Sequence, residues 1–214
     1  MVTPCMLHED GYEIRKGWCA LTSELLSSMA QIKTAPIFND NPAYKSDRKR
    51  KQATISTPWS RAVRHHLAVE FPTLRPSPMV MIESEPGCQR QAAHCDYIPT
   101  EELLDLPDEE MPLLFLLAVE PHTMLDIWPG SHLALRGETK KRYRRKTLVL
   151  DAGDAVLFRA DLIHAGSAYA SANRRFHVYL DSPEHHRDPN RTWIIYKHAP
   201  AVLRAQIDED ADEV

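Results

Sequence analysis

The chain has 214 residues, 43% hydrophobic and 26% charged, with a formal net charge of −4. That is enough chain to bury a core, and the balance excludes collagen-like and wholly disordered classes and gives no global reason to expect nucleic-acid binding. The longest apolar run, 113–119, falls far short of the roughly 20 residues of a membrane-spanning helix. Residues 1–10 contain His8, Glu9 and Asp10 and no long apolar stretch, so no secretory signal is expected. Four cysteines (Cys5, Cys19, Cys88, Cys95) show no C-x-x-C spacing, which points to a reducing intracellular compartment, cytoplasmic or nuclear, rather than a disulfide framework. Seven glycines against 16 prolines, with no G-x-G-x-x-G or Walker pattern, argue against a glycine-rich phosphate-binding fold.

Along the chain, 11–18 alternates and predicts a short strand. Thr22 then caps a helix on which Leu25, Leu26, Met29 and Ile32 recur at helical spacing. Residues 33–56 are polar and irregular, and predict a mobile surface loop whose basic cluster (Lys45, Arg48, Lys49, Arg50, Lys51) is solvated. Thr57-Pro58 reads as an N-cap followed by proline at the first helical position. The helix it opens runs to about Glu70, with His65 and His66 on its surface, before Pro72, Pro76 and Pro78. From residue 79 the pattern becomes short strands: 79–84, 91–97, 113–119, 124–128, 147–150, 155–158, 162–167, 174–180 and 192–197. The acidic stretch 101–110 reads as a short helix or lid. Regular short strands without intervening helices predict an antiparallel sandwich or barrel. The expected organisation is one domain over 1–206, with a helical N-terminal cover to about 78 and a barrel over about 79–200. An acidic, frayed tail follows at 207–214.

The sharpest local signal is His94-Cys95-Asp96. Alternate residues of a strand share a face, so His94 and Asp96 point one way and Cys95 the other, into packing. A third ligand is available in His164, about seventy residues and several strands later. Two histidines and one carboxylate on a triangular face leave three positions open, the arrangement of non-haem Fe(II) oxygenases. Eleven residues beyond His164 stands Arg175, whose planar fork suits one carboxylate of a dicarboxylate cosubstrate. Arg174 is its rival. Alternation puts Arg175, His177 and Tyr179 on one face, suited to a polar lumen, and Arg174, Phe176, Val178 and Leu180 on the other.

These residues, with Trp128-Pro-Gly-Ser-His132, 152–158 and Asn173-Arg-Arg-Phe-His-Val-Tyr-Leu180, resemble the Fe(II)- and 2-oxoglutarate-dependent dioxygenases, most closely the phytanoyl-CoA dioxygenase-like branch, over about residues 79–181. The resemblance implies a mainly β protein with N-terminal helices, built on a double-stranded β-helix (a jelly-roll, cupin-like barrel). It implies that His94, Asp96 and His164 bind iron and that Arg175 anchors 2-oxoglutarate. The reaction it implies is hydroxylation of a C–H bond of a small-molecule or peptidyl substrate, with succinate and CO₂ released. Dioxygen is the co-reactant and ascorbate an accessory reductant. Two rival readings stay open at the level of sequence: an oxidative demethylase of nucleic acid and an inactive jelly-roll binding protein. The basic run 140–146 serves either as a contact for nucleic acid, an acyl-phosphate group or an acidic protein, or as a solvated loop. Trp128 reads as barrel core, His132 as a loop-holding residue, and His185-His186 as surface rather than a second metal site.

Overall fold

The computed structural model describes residues 4–37, 49–138, 141–188 and 191–212. In chain order the elements are α1 (Pro4–Glu9), β1 (Tyr12–Arg15), α2 (Ser23–Met29), β2 (Ala35–Pro36), β3 (Arg50–Ile55), α3 (Pro58–Glu70), β4 (Arg75–Pro76), β5 (Met79–Ser84), β6 (His94–Cys95), α4 (Glu101–Leu104), β7 (Leu113–Ala118), β8 (Thr123–Ile127), α5 (Ser131–Leu135), β9 (Tyr143–Leu150), β10 (Ala155–Arg159), β11 (His164–Gly166), β12 (Asn173–Asp181), β13 (Trp193–Ile194), α6 (Ile195–His198), α7 (Ala201–Gln206) and β14 (Ile207–Asp212). The caps form as the sequence predicts. Thr22 Oγ1 accepts from the Leu25 amide at 3.2 Å. Thr57 and Ser60 close a reciprocal capping box at the start of α3, with proline at its first turn.

Two sheets make a jelly-roll. The larger has eight strands in the order β1-β10-β7-β12-β5-β3-β2, with β4 on β12; the smaller runs β13-β6-β11-β8-β9-β14. Strand pairs are antiparallel except β14 with β9. Strand β7 explains the longest apolar run in the sequence. Its Leu113, Phe115 and Leu117 face the layer with α2 and α3, while Leu114, Leu116 and Ala118 face the interior between the sheets. A strand covered on both faces has no solvent side to mark with polar residues. The same split along β12 sends Phe176, Val178 and Leu180 under the helices. A third apolar layer, including Cys95, Trp128, Tyr143 and Ile163, packs Ile195 and Leu203 of α6 and α7.

Several segments differ from the sequence reading. Residues 33–56 contain β2 and β3, and β3 pairs along its whole length with β5, so the part before residue 78 supplies strands as well as a helical cover. Lys45 and Arg48 of the expected basic loop lie outside the described residues. Tyr143–Lys146 is strand rather than loop. Tyr143 and Arg145 turn inward, leaving Arg144 with Lys141 and Arg142 outside; Lys140 lies outside the described residues. The segment 192–197 is a two-residue strand followed by the turn of helix α6. The acidic end, read as frayed, pairs with β9 as β14 through residue 212, anchored by buried Ile207 and by Trp128 Nε1 donating to the Asp208 carbonyl at 2.8 Å. Charge hid these strands, because their pairing uses backbone and one buried face rather than apolar alternation.

Candidate metal centre

Strand β6 is two residues long, and its His94 stands directly opposite His164 of β11 in the antiparallel register. Directly opposed residues project from the same face of a sheet. The ring centroids are 4.5 Å apart. His94 Nε2 lies 3.6 Å from Asp96 Oδ1, and His164 Nε2 lies 4.0 Å from Asp96 Oδ2. One ligand atom from each of the three lies within 4.8 Å of the others, a set that can hold a metal ion and the one such group found among the described residues.

The two imidazoles are pre-set for metal. His94 Nδ1 donates to the Ala92 carbonyl at 2.7 Å and His164 Nδ1 to the Leu162 carbonyl at 3.0 Å. A carbonyl can only accept, so Nδ1 carries the proton in both rings and each Nε2 presents a bare lone pair toward Asp96. Burial, reinforced by the neighbouring His164, lowers His94 to about 4, and burial also lowers His164. Both rings are therefore neutral near pH 7, the ligating form. Burial disfavours the ionised Asp96, but Arg187 and the surrounding histidines outweigh it and hold the carboxyl well below the usual range. Tyr179 donates its hydroxyl to Asp96 Oδ2 at 2.9 Å.

These residues open on a cavity of about 170 Å³ between the sheets, space for on the order of ten waters. Its walls include Leu116, Leu125 and Phe158, and the inward row of β12: Arg175, His177 and Tyr179. Arg175 is 4% exposed; its Nη1 donates to Ser84 Oγ at 3.0 Å and its guanidinium lies over the Tyr169 ring at 5.4 Å. Arg174 faces away and binds the Glu120 carboxylate through both its amide and its Nε, at 2.9 and 2.8 Å. Geometry thus separates the two rivals: Arg175 lines the cavity and Arg174 does not. A buried donor fork over a cavity fits a carboxylate, and two imidazoles with one carboxylate fit a divalent metal of the iron type.

Sequence reasoning missed three contributors and gave a fourth, His177, a face but no role. Arg50, fully buried on β3, donates from Nη2 to the Gly166 and Ser167 carbonyls at 3.0 and 2.6 Å, tying the large sheet to the strand that carries His164. Gly166 has no room for a Cβ, which would stand 2.6 Å from Gln91 Oε1 and 3.1 Å from the Arg50 guanidinium. His177 is buried with no partner at Nδ1. Arg187 stacks on Tyr179 at 4.3 Å. Only the inward alternation of β12 flagged any of them. The remaining candidates are structural. Ser131 accepts from the Ile163 amide, His132 Nε2 donates to the His8 carbonyl at 3.0 Å, Cys95 and Trp128 pack in the third layer, and His65 and His66 are exposed. His186 lies 4.0 Å from Asp181 and His185 is half-buried. Arg145, buried, lies 4.0 Å from Asp126, which interrupts the basic run.

A jelly-roll with two histidines and a carboxylate facing a cavity between its sheets defines the architectural class. The family model for phytanoyl-CoA dioxygenase (PhyH) matches residues 27–176, and the chain belongs to that family. Similar solved structures include the epimerase SnoN from nogalamycin biosynthesis, in complex with Fe³⁺, α-ketoglutarate and nogalamycin RO (16% identity, TM-score 0.59, covering 89% of this chain and 93% of that one). HygX from Streptomyces hygroscopicus, with nickel and 2-oxoglutarate bound, aligns at 11% identity and TM-score 0.61 over 85% of this chain and 86% of its own. A Pseudomonas putida prolyl-4-hydroxylase aligns at 13% identity and TM-score 0.54 over 84% of this chain and 96% of its own. At these identities the likeness is one of fold. No curated protein sequence matches significantly. Among the described residues no helix is long and apolar enough to cross a membrane.

Proposed function

We propose that this protein is an Fe(II)- and 2-oxoglutarate-dependent oxygenase that hydroxylates a C–H bond of a small-molecule or peptidyl substrate and releases succinate and CO₂. The observation that carries the reading is the convergence of His94, Asp96 and His164, with ligand atoms within 4.8 Å of one another, on the cavity that Arg175 also lines. When bound, iron and 2-oxoglutarate together with dioxygen supply the oxidising chemistry, which side chains cannot supply themselves. His94 and His164 offer Nε2, and Asp96 offers a carboxylate oxygen while Tyr179 occupies part of the other. Arg175, with Ser84 beside it, receives the far carboxylate of the cosubstrate and sets its orientation. Leu116, Leu125 and Phe158 give the cavity an apolar stretch of wall. No residue is needed as a general base.

The family membership supports an oxygenase, and cosubstrate-bound relatives of the same fold support 2-oxoglutarate. Relatives that bear the names of an epimerase and a prolyl hydroxylase leave hydroxylation as our choice among outcomes, made because it needs no further reacting side chain. The test is succinate production together with metal binding. His94→Ala and Asp96→Ala are expected to lose both, by at least about a hundredfold in turnover. An Asp96→Ala variant that still makes succinate at the wild-type rate would overturn the ligand assignment.

A further inference from the structure

Arg187 is the cavity's unexplained charge. It follows β12 by six residues, and its position is fixed from two sides. Its backbone amide donates to Asp181 Oδ1 at 3.0 Å, and its guanidinium stacks on the Tyr179 ring at 4.3 Å. Its Nε is buried with no hydrogen-bond partner among the described residues, and faces Asp96 Oδ2 only at 4.0 Å, beyond hydrogen-bond reach. Tyr179 already donates to that oxygen. Arg187 therefore brings hydrogen-bonding capacity to the cavity wall that Asp96 does not use.

Its place relative to Arg175 matters. Arg175 and Tyr179 are four residues apart on one strand, about 13 Å along it. Arg187 sits on Tyr179, so the two guanidinium-bearing ends of the cavity are separated by the row through His177. A cosubstrate that reaches from the metal to Arg175 leaves the Arg187 end unengaged. Charge leads to the same place. Asp96 is the one carboxylate among the residues that line the cavity, and Arg90 on the rim is matched by Asp126 at 2.6 Å. A divalent metal with Asp96 retains one positive charge, which the chelating carboxylate of the cosubstrate cancels, and its far carboxylate goes to Arg175. Asp181 lies near Arg187 but accepts from its backbone amide, and Asp96 stands 4.0 Å away, so among the described residues no carboxylate is hydrogen-bonded to this half-buried guanidinium, a costly state that the next ligand can relieve. Thr192, Ile194 and Tyr196 line the same cavity and give that ligand a mixed polar and apolar wall.

We propose that Arg187 receives a carboxylate or phosphate of the prime substrate, so that the oxygenase acts on an anionic molecule held by that group beside Asp96. The proposal rests on the function argued above, and its test separates the two. The full-length protein, loaded with Fe(II) and saturated with 2-oxoglutarate under anaerobic conditions, is titrated calorimetrically with benzoate, phenyl phosphate and neutral benzamide. Saturation keeps the probes off Arg175. The expected result is binding of at least one anion and not of benzamide, weakened at least tenfold in Arg187→Gln and largely kept in Arg187→Lys, each variant being itself brought to saturation with Fe(II) and 2-oxoglutarate before the probe is added. The preferred anion distinguishes carboxylate from phosphate. Equal anion binding by wild type and Arg187→Gln, benzamide binding as tight as the anions, or no anion binding at all by the 2-oxoglutarate-saturated wild type would overturn the proposal alone. Failure of the wild type to bind 2-oxoglutarate would remove the function beneath it, and the proposal with it.

Discussion

Asp96 divides its two oxygens between two tasks. Oδ1 faces His94 at 3.6 Å, while Oδ2 accepts from Tyr179 at 2.9 Å. A carboxylate tied at one oxygen presents the other with a fixed direction, which a loop residue just past a two-residue strand could not otherwise hold. Tyr179 in turn sits on the β12 row with His177, whose ring packs edge-on to it at 4.9 Å. His177 is a buried imidazole, and burial lowers it to about 3. The folded chain therefore refuses a proton that the unfolded chain takes up near pH 6.5, and folding loses stability as pH falls through and below that value. From pH 7 to 5.5 this one group removes about 1 kcal/mol from the metal-free protein. Urea unfolding in the presence of a chelator, at both pH values, should show His177→Phe with that much less pH dependence than wild type. An unchanged slope would mean that His177 is solvated in the folded state.

The elements of the centre were unequally legible. His94-x-Asp96 and His164 could be read from spacing and order, and the inward face of β12 from alternation, because a strand's two-residue period is a property of the chain itself. The same period separates Arg175, which lines the cavity, from Arg174, which turns outward to Glu120. Strand β3 was not legible. It opens with Arg50-Lys-Gln, and nothing local says that a guanidinium will be buried; the carbonyls of Gly166 at the end of β11 and of Ser167 just past it, 116 and 117 residues away, help make that burial tolerable. Strand β14 was hidden in the same way, since acidic residues paired through their backbone look like a solvated tail. Arg50 joins the two sheets beside His164, so its removal should be felt as stability before chemistry. Arg50→Met deletes two charge-assisted hydrogen bonds and takes from the Ser167 carbonyl its Arg50 donor, while the Gly166 carbonyl keeps the Gln91 amide, at a cost of about 3 kcal/mol. A urea midpoint shift worth less than about 0.5 kcal/mol would show that the sheets hold together without it.

At the scale of the molecule, the centre is split between the two sheets. The small sheet carries His94 and His164 on β6 and β11, and the large sheet carries Arg175 on β12. Metal alone would engage residues on or beside the small sheet, whereas 2-oxoglutarate held by both metal and Arg175 would span the gap. Ligands that bind only the folded state stabilise it by mass action, about 2.7 kcal/mol at a hundredfold excess over Kd. For a chain of this size that is roughly 5–10 °C in Tm. Ni(II) should therefore raise the Tm by about that amount in the wild type, and 2-oxoglutarate should add a second increment of similar size only when the metal is present. Arg175→Ala should keep the nickel increment and lose most of the second, with the 2-oxoglutarate requirement for turnover rising at least about 30-fold as a buried charge-assisted contact is lost. His94→Ala should lose both increments. If the second increment survived in Arg175→Ala, the dicarboxylate would have to be anchored elsewhere in the cavity, and the half-buried guanidinium of Arg187 would be the first residue to examine.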